Sequence, residues 1–397
     1  MPGSPTVRRT RVFDLTRKGS AARAISAAGA VLRSGGLVAF PTETVYGLGA
    51  NALNAKAVRG IFRAKGRPTD NPLIVHLRDA GDLPRVARDI PALGLRLAEA
   101  FWPGPLTLVL PKHPRVPKVT TAGLDTVAVR VPSLPWARRL IEAAGVPIAA
   151  PSANLSGRPS LTTPGHLVRE LKGKVDVLLL GGKSRIGVES TVVDVVSSPP
   201  VLLRAGGLSV ERLQSLVPDL RVLPLEASGA PDRETPPRSP GLKYRHYAPR
   251  ARVTLFVGSP QRTRQALENR RRMLTREGRK VGLLVTRESG LRGPAVRVLG
   301  SRRAPDRFAF GLFHALRELD ALGADEILVE GIPATGVGLA VMDRLRRAAG
   351  DRVVDLRVGP VVSGRGRAVA QVSQKARAIP PKGVRTPETH RPRKRPR

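Results

Sequence analysis

The side chains best able to do chemistry fall where short apolar runs end. PTETVYGLG, 41–49, follows a strand-like run and offers Thr42, Thr44 and Tyr46 as donors. Its Gly47 and Gly49 would let backbone come close to a ligand. In AKGRPTDNPLIVH, 64–76, Lys65 and Arg67 put two cations on a Pro-interrupted loop before a strand, with His76 near that strand's end. Lys as a point charge beside Arg as a fork suits a polyphosphate. PIAAPSANLSG, 147–157, brings Ser152, Asn154 and Ser156 beside the small Ala149 and Ala150. ESTVVD, 189–194, opens a strand with Glu189, Ser190 and Thr191, and LLRAG, 202–206, ends one on Arg204. TVAVRVP, 126–132, alternates, so Thr126, Ala128 and Arg130 share one face. An Arg there calls for a buried acid or a ligand anion, and both stay open. WPGPLTLVLP, 102–111, reads as architecture, with Trp102, Pro103 and Pro105 turning the chain into a strand.

Each segment alone is also what a capped turn or a solvated charge pair looks like. The absences narrow the chemistry. The chain has no cysteine, so it offers no thiolate nucleophile or thiolate metal site. GGKS, 181–184, is no phosphate loop, because Val177 stands where that motif needs glycine. The G-x-G-x-x-G, H-E-x-x-H and G-x-S-x-G patterns are missing, as is any Ser-His-Asp arrangement or carboxylate cluster. Hydroxyls, amides and separate cations suit reaction at a phosphoryl group. There the protein positions reactants and stabilises charge while a metal bridges the phosphates.

Alternating elements must hold these segments. Helices are expected at 20–35, 54–65, 91–101, 135–144, 164–172 and 209–217. Strands are expected at 37–40, 72–77, 105–110, 126–131, 146–150, 175–180, 190–196 and 200–204. That pattern argues for an α/β domain over 12–217. A Pro-, Gly- and polar-rich linker follows at 218–250. A second α/β pattern at 251–358 has the size of a small doubly wound, Rossmann-like domain. Beyond it, 359–397 is a basic Gly-, Pro- and Arg-rich tail too poor in apolar residues to fold.

Lys and Arg number 68 against 31 Asp and Glu, a formal +37. Such an excess attracts polyanions, tRNA or double-stranded RNA among them, or it reflects an Arg-rich composition. No run approaches the roughly 18 apolar residues of a membrane span. No signal peptide is evident after Arg8, Arg9 and Arg11, so a cytoplasmic protein without membrane partners is expected. An RNA-binding module is the rival reading to an enzyme, but it leaves the neutral hydroxyl loops unexplained.

Taken in order, PTETVYGLG, KGRP with NPL, WPGPLT, Ser152-Ala153-Asn154, ESTVVD and LRAG resemble the YrdC-like threonylcarbamoyl-adenylate synthases. SPGLKYRHYAP, 239–249, and EGIPATGVGLAVMDRLRRAA, 330–349, resemble the long two-domain branch of that family. Leu242 stands where its linker motif usually has Met, and Asp343 where its C-terminal helix usually has Asn. The resemblance implies a twisted mixed sheet with flanking helices and a basic concave cavity. It implies L-threonine, bicarbonate and ATP with Mg2+ as reactants. The product would pass to tRNA threonylcarbamoyl transferase machinery, which modifies tRNA reading ANN codons. It places threonine contacts on Thr44, His76, Arg130, Ala150 and Ser190. ATP contacts fall on Lys65, Arg67, Asn71, Thr126, Ser152, Asn154, Ser160 and Arg204, and on the linker's Tyr244, His246 and Tyr247. Lys65, Arg67, Ser152 and Asn154 would be catalytic. The polar linker would close over the cavity and exclude water.

Deleting 239–249 is therefore expected to impair turnover more than stability. Parallel thermal melts and pyrophosphate-release rates check this, and unchanged turnover would remove the linker from the site.

Overall fold

The computed structural model describes residues 9–223 and 247–357. The first sheet has 11 strands. It begins with β1 (Arg11–Asp14), α1 (Ala21–Arg33), β2 (Val38–Phe40), β3 (Gly47–Asn51), α2 (Ala55–Lys65) and β4 (Ile74–His76). Next come α3 (Ala92–Phe101), β5 (Leu106–Pro111), β6 (Thr126–Arg130), α4 (Pro135–Ala144), β7 (Ile148–Ala149) and α5 (Pro164–Leu171). β8 (Val177–Leu180), β9 (Thr191–Asp194), β10 (Val201–Arg204), α6 (Val210–Gln214) and β11 (Arg221–Val222) complete it. The order is β1-β8-β2-β3-β7-β4-β6-β5-β9-β10-β11, with parallel and antiparallel pairs mixed.

Side-chain alternation decides what the middle of the sheet can hold. Val75, Val127, Val129, Leu108 and Leu110 enter the largest core, with Ile61 of α2, Leu97 of α3 and Leu167 of α5. A second core joins Ala28 and Leu32 of α1 to Leu140 and Ala144 of α4 over Phe40 and Ile148. The opposite face of β4, β5, β6 and β9 carries only a small cluster of Ile74, Val109, Ala128 and Val192. His76 pairs in register with Arg130, two residues along from the Ile74–Ala128 pair, so both polar side chains join that thinly covered face.

Two glycines set this geometry. Asn54 caps α2 by accepting from the backbone N–H groups of Lys56 and Ala57 at 3.0 and 3.1 Å. The helix ends at Gly66, whose left-handed φ of 61° turns the chain between Lys65 and Arg67. Residues 41–49 are not wholly a loop, since β3 begins at Gly47. A Cβ on Gly49 would lie 2.7 Å from Ile148 Cγ2 and 2.8 Å from Phe40 Cε1. Gly49 thus admits packing within the sheet rather than a ligand.

The second sheet comprises β12 (Arg252–Val257), α7 (Pro260–Arg276), β13 (Val281–Val285), β14 (Val296–Val298), α8 (Pro305–Ala321), β15 (Glu326–Glu330), α9 (Gly338–Ala349) and β16 (Val353–Asp355). Its five strands run parallel in the order β14-β13-β15-β12-β16. α7 packs on one face through Leu267 and Leu274, and α8 and α9 on the other through Phe308, Leu312, Val341 and Leu345. This doubly wound arrangement is the expected α/β domain. The α8–α9 core also takes in Val45 and Val188 from the first sheet's loops, so one apolar cluster joins both sheets.

Gly49→Ala is expected to cost about 1–3 kcal/mol through overpacking. Gly165→Ala, with nothing within 4 Å of its Cβ, should be neutral or slightly stabilising. Urea unfolding of both variants checks the contrast, and equal stabilities would contradict it.

Candidate active site

A cavity opens on the thinly covered face, enclosing about 560 Å³ with the open solvent at its mouth included. Of the expected contacts, Thr44, Arg67, His76, Arg130, Ala150, Ser152, Ser190, Arg204 and Tyr247 line it. They come from the β2–β3 turn, the loop after α2, the central strands, the loop after β7, the approach to β9, the end of β10 and the segment before β12. Residues more than a hundred positions apart meet because β3, β7, β4 and β6 are neighbours.

Arg130 resolves the choice left open by its sequence. An acid partner is present: Nη2 is ion-paired to Glu43, with both side chains buried. Nη1 donates to Thr44 Oγ1 at 2.9 Å and Nε to the Gly104 carbonyl at 3.3 Å. Burial alone would raise the Glu43 pKa, but the adjoining guanidinium holds it below its usual value. Thr42 Oγ1 donates to the Val45 carbonyl at 2.6 Å, so in the 2.9 Å contact between the two hydroxyls Thr44 is the donor. Sequence reasoning passed over Glu43. The signal was Arg130 itself, which needed an acid.

Ser190 and Arg204 form a second fixed group. Arg204 donates to the Ser190 carbonyl from Nε at 3.2 Å and from Nη2 at 2.9 Å, and Nη2 also reaches Ser190 Oγ at 3.2 Å. Thr107 Oγ1 lies 2.7 Å from Ser190 Oγ. Arg67 bonds the carbonyls of Asn71 and Pro72 at 3.3 and 3.1 Å through Nη2. The Asn71 side-chain amide is buried, and neither its nitrogen nor its oxygen has a partner among the described residues. Asn71 is not itself among the cavity-lining residues and adjoins the cavity through Arg67, which holds its backbone carbonyl.

Other expected residues stand behind the wall. Lys65 Nζ donates to the Ser152 carbonyl at 2.5 Å and to the Asn154 carbonyl. Burial, then the neighbouring Arg67 charge, push its pKa well below the usual lysine value. The Asn154 side chain accepts from Ser152 Oγ at 2.6 Å and donates to the carbonyls of Leu155 and Arg158 at 2.8 and 2.9 Å, pinning the loop. Ser160 Oγ donates to Glu189 at 2.5 Å, and Glu189 lines the cavity. Thr126 does not reach the cavity. It starts β6 opposite Pro111, four residues or about 13 Å from Arg130. Tyr46, read as a donor, does line the cavity, but its hydroxyl is engaged elsewhere, accepting from the Gly181 N–H and donating to the Gly182 carbonyl at 2.7 Å. Tyr244 and His246 lie outside the described residues, as does the tail from 359.

His76 is buried edge-on to Phe40, with ring centroids 6.1 Å apart, and its Nδ1 lies 3.2 Å from the Ile74 carbonyl. Burial, then the Arg130 charge, push its pKa down to about 3, so the imidazole is neutral at physiological pH.

Among the described residues no group of three His, Cys, Asp or Glu side chains is placed to hold a metal. No helix among them is long and apolar enough to cross a membrane.

Residues 30–206 match the family described as telomere recombination, and 208–350 match the family described as threonylcarbamoyl-AMP synthase, C-terminal domain. The threonylcarbamoyl-AMP synthase of Pyrococcus abyssi is 48% identical over 330 residues, covering 83% of this chain and 95% of that protein. That of Bacillus subtilis is 46% identical over 83% of this chain and 94% of its own length. The crystal structure of P. abyssi Sua5 complexed with L-threonine matches with a TM-score of 0.82 at 45% identity, covering 88% of this chain and 99% of that one.

The His76 shift has a stability consequence with a definite sign. Below pH 6.5 the unfolded histidine takes up a proton, while the folded one stays neutral down to about 3. Stability present above pH 6.5 is therefore lost as the pH falls, by about 2 kcal/mol at pH 5. His76→Gln should lose less stability than the wild type between pH 7 and pH 5. Denaturant titrations at the two pH values check this, and identical losses would contradict it.

Proposed function

The chain belongs to the threonylcarbamoyl-AMP synthase family, a family of nucleotidyltransferases, and we propose that its cavity joins L-threonine, bicarbonate and ATP. The observation that carries this reading is the convergence of Arg67, Arg130 and Arg204 on one crevice with Thr44, Ser190 and the small Ala150. Arg130, oriented by Glu43, takes the threonine carboxylate. Ala150 leaves room for the substrate beside the Thr44 and Ser190 hydroxyls. The neutral His76 adds no charge there.

The threonine nitrogen bonds to the carbon of bicarbonate and water is lost, giving a carbamate. A carbamate oxygen then attacks the α-phosphorus of ATP. The bond from that phosphorus to the bridging oxygen of the β-phosphate breaks, and pyrophosphate leaves with the electron pair. Arg67 and Arg204 offset the charge that develops on it, where fixed cations help most. Lys65 and Asn154 hold the loop that presents Ser152. Asn71 orients Arg67 through its backbone carbonyl. Glu43 pairs with Arg130 through one oxygen and Glu189 with Ser160 and Arg344 through both, and the described residues form no carboxylate cage. A magnesium ion brought in with the ATP would screen the charge of its phosphates.

The product would serve threonylcarbamoylation of tRNA reading ANN codons, through a separate transferase, in the cytoplasm. The basic surface suits contact with tRNA during that hand-over.

Arg67→Ala is expected to lower threonine-dependent pyrophosphate release by about 100-fold or more, with circular dichroism unchanged. Release at the wild-type rate would refute the assignment. Absence of threonine-dependent release from the wild type would favour an RNA-binding module.

A further inference from the structure

One side chain of the second domain reaches the wall of the first domain's cavity. Arg344 sits on the buried stripe of α9 with Ala340, Val341, Leu345 and Ala348 and is itself 1% exposed. Its Nε donates to Glu189 at 2.9 Å, its Nη2 to the Ala205 carbonyl at 3.0 Å, and its Nη1 to Asp343 at 2.5 Å. The guanidinium carbon lies 5.1 Å from the Tyr247 ring centroid, and that ring stacks on Phe313 of α8 at 5.4 Å.

Each partner of Arg344 outside α9 belongs to the cavity or adjoins it. Glu189 and Tyr247 line it, and Ala205 directly follows Arg204. The second oxygen of Glu189 accepts from Ser160, so the carboxylate is fixed from both domains. Tyr247 holds a positive φ of 65°, unusual for a bulky residue. Such a conformation persists where its surroundings over-determine it, and here Arg344 and Phe313 clamp the ring.

We propose that Arg344 is a positioning residue for adenylate formation: it fixes Glu189, the backbone beside Arg204 and Tyr247, so that the second domain completes the active-site wall. This rests on the function proposed above. Of the other contacts between the domains, the packing of the cavity-lining Val45 into the α8–α9 core is apolar and fixes no polar group of the site. Arg158–Asp320 at 3.3 Å and the Gly336 N–H to Glu211 at 2.9 Å hold the domains together without touching a cavity-lining side chain. Lysine at 344 would keep the charge but not the fork that holds Glu189 and the Ala205 carbonyl at once.

The test measures threonine-dependent pyrophosphate release, with kcat and KM for ATP and threonine, beside thermal melts. Wild-type protein, Arg344→Lys, Glu189→Gln, their double variant and Arg302→Ala are compared. Arg302 pairs with Glu330 at 2.9 Å inside the second domain, so its loss destabilises that domain away from the cavity. Arg344→Lys is expected to melt cooperatively and to lose about tenfold or more in kcat/KM for ATP. Adding it to Glu189→Gln should cost less than it costs alone, because the two act through one contact. Arg302→Ala should melt earlier with kcat and both KM values within about twofold of wild type. Should Arg344→Lys fail to fold, Glu189→Gln reports on the same wall, and wild-type kinetics in it would overturn the proposal. Wild-type kinetics in folded Arg344→Lys would overturn it, as would additive effects or an equal loss in Arg302→Ala. A wild-type protein that released no pyrophosphate on adding threonine would remove the proposed function, and this inference with it.

Discussion

Burying positive charge is the constraint from which the rest of the structure follows. Arg67, Arg130 and Arg204 are each no more than 8% exposed, and isolated charges so placed would be costly. Each is fixed by neighbours: Arg130 by Glu43, Arg204 by Ser190, Arg67 by the carbonyls of Asn71 and Pro72. Removing one partner of a buried ion pair typically costs about 3–5 kcal/mol, which makes Glu43 as necessary to the fold as to the orientation of Arg130. The same bonds leave little freedom to the guanidinium groups. A site whose donors are already oriented needs little rearrangement as charge develops.

This constraint explains the sheet. One face of β4, β5 and β6 is given wholly to aliphatic packing, which stabilises the domain and frees the other face for polar side chains. The small residues follow from it too. Ala150 leaves the cavity its depth, and Gly49 lets Phe40 and Ile148 close the sheet beneath it. His76 fits because it is neutral, adding a polar ring next to Arg130 without a further charge.

Much of this was legible in the sequence. The period-two alternation of 126–132 assigned Arg130 and Val129 to opposite faces, and the helix and strand spans agree closely with the structure. β1, β11, β14 and β16 escaped notice because each has only two to four residues and pairs at a sheet margin, where tertiary contacts outweigh local pattern. β3 was hidden by its glycines, which weaken any strand signal. Identifying partners was harder than identifying sites. Glu43 stood unremarked among hydroxyls, and Arg344 among Arg346 and Arg347, although only Arg344 falls on the apolar stripe of α9. Lys65 and Asn154 read as residues facing a ligand, but they bond the loop that carries Ser152. Side-chain type alone does not distinguish a group that touches substrate from one that holds the group that does.

The most direct test supplies the protein with ATP, L-threonine and 13C-bicarbonate and follows the products by mass spectrometry. The account predicts an adenylate that carries the threonine and one 13C atom, with one pyrophosphate per adenylate, formed only when all three reactants are present. An adenylate without the label, or pyrophosphate released at the same rate without threonine, would contradict it.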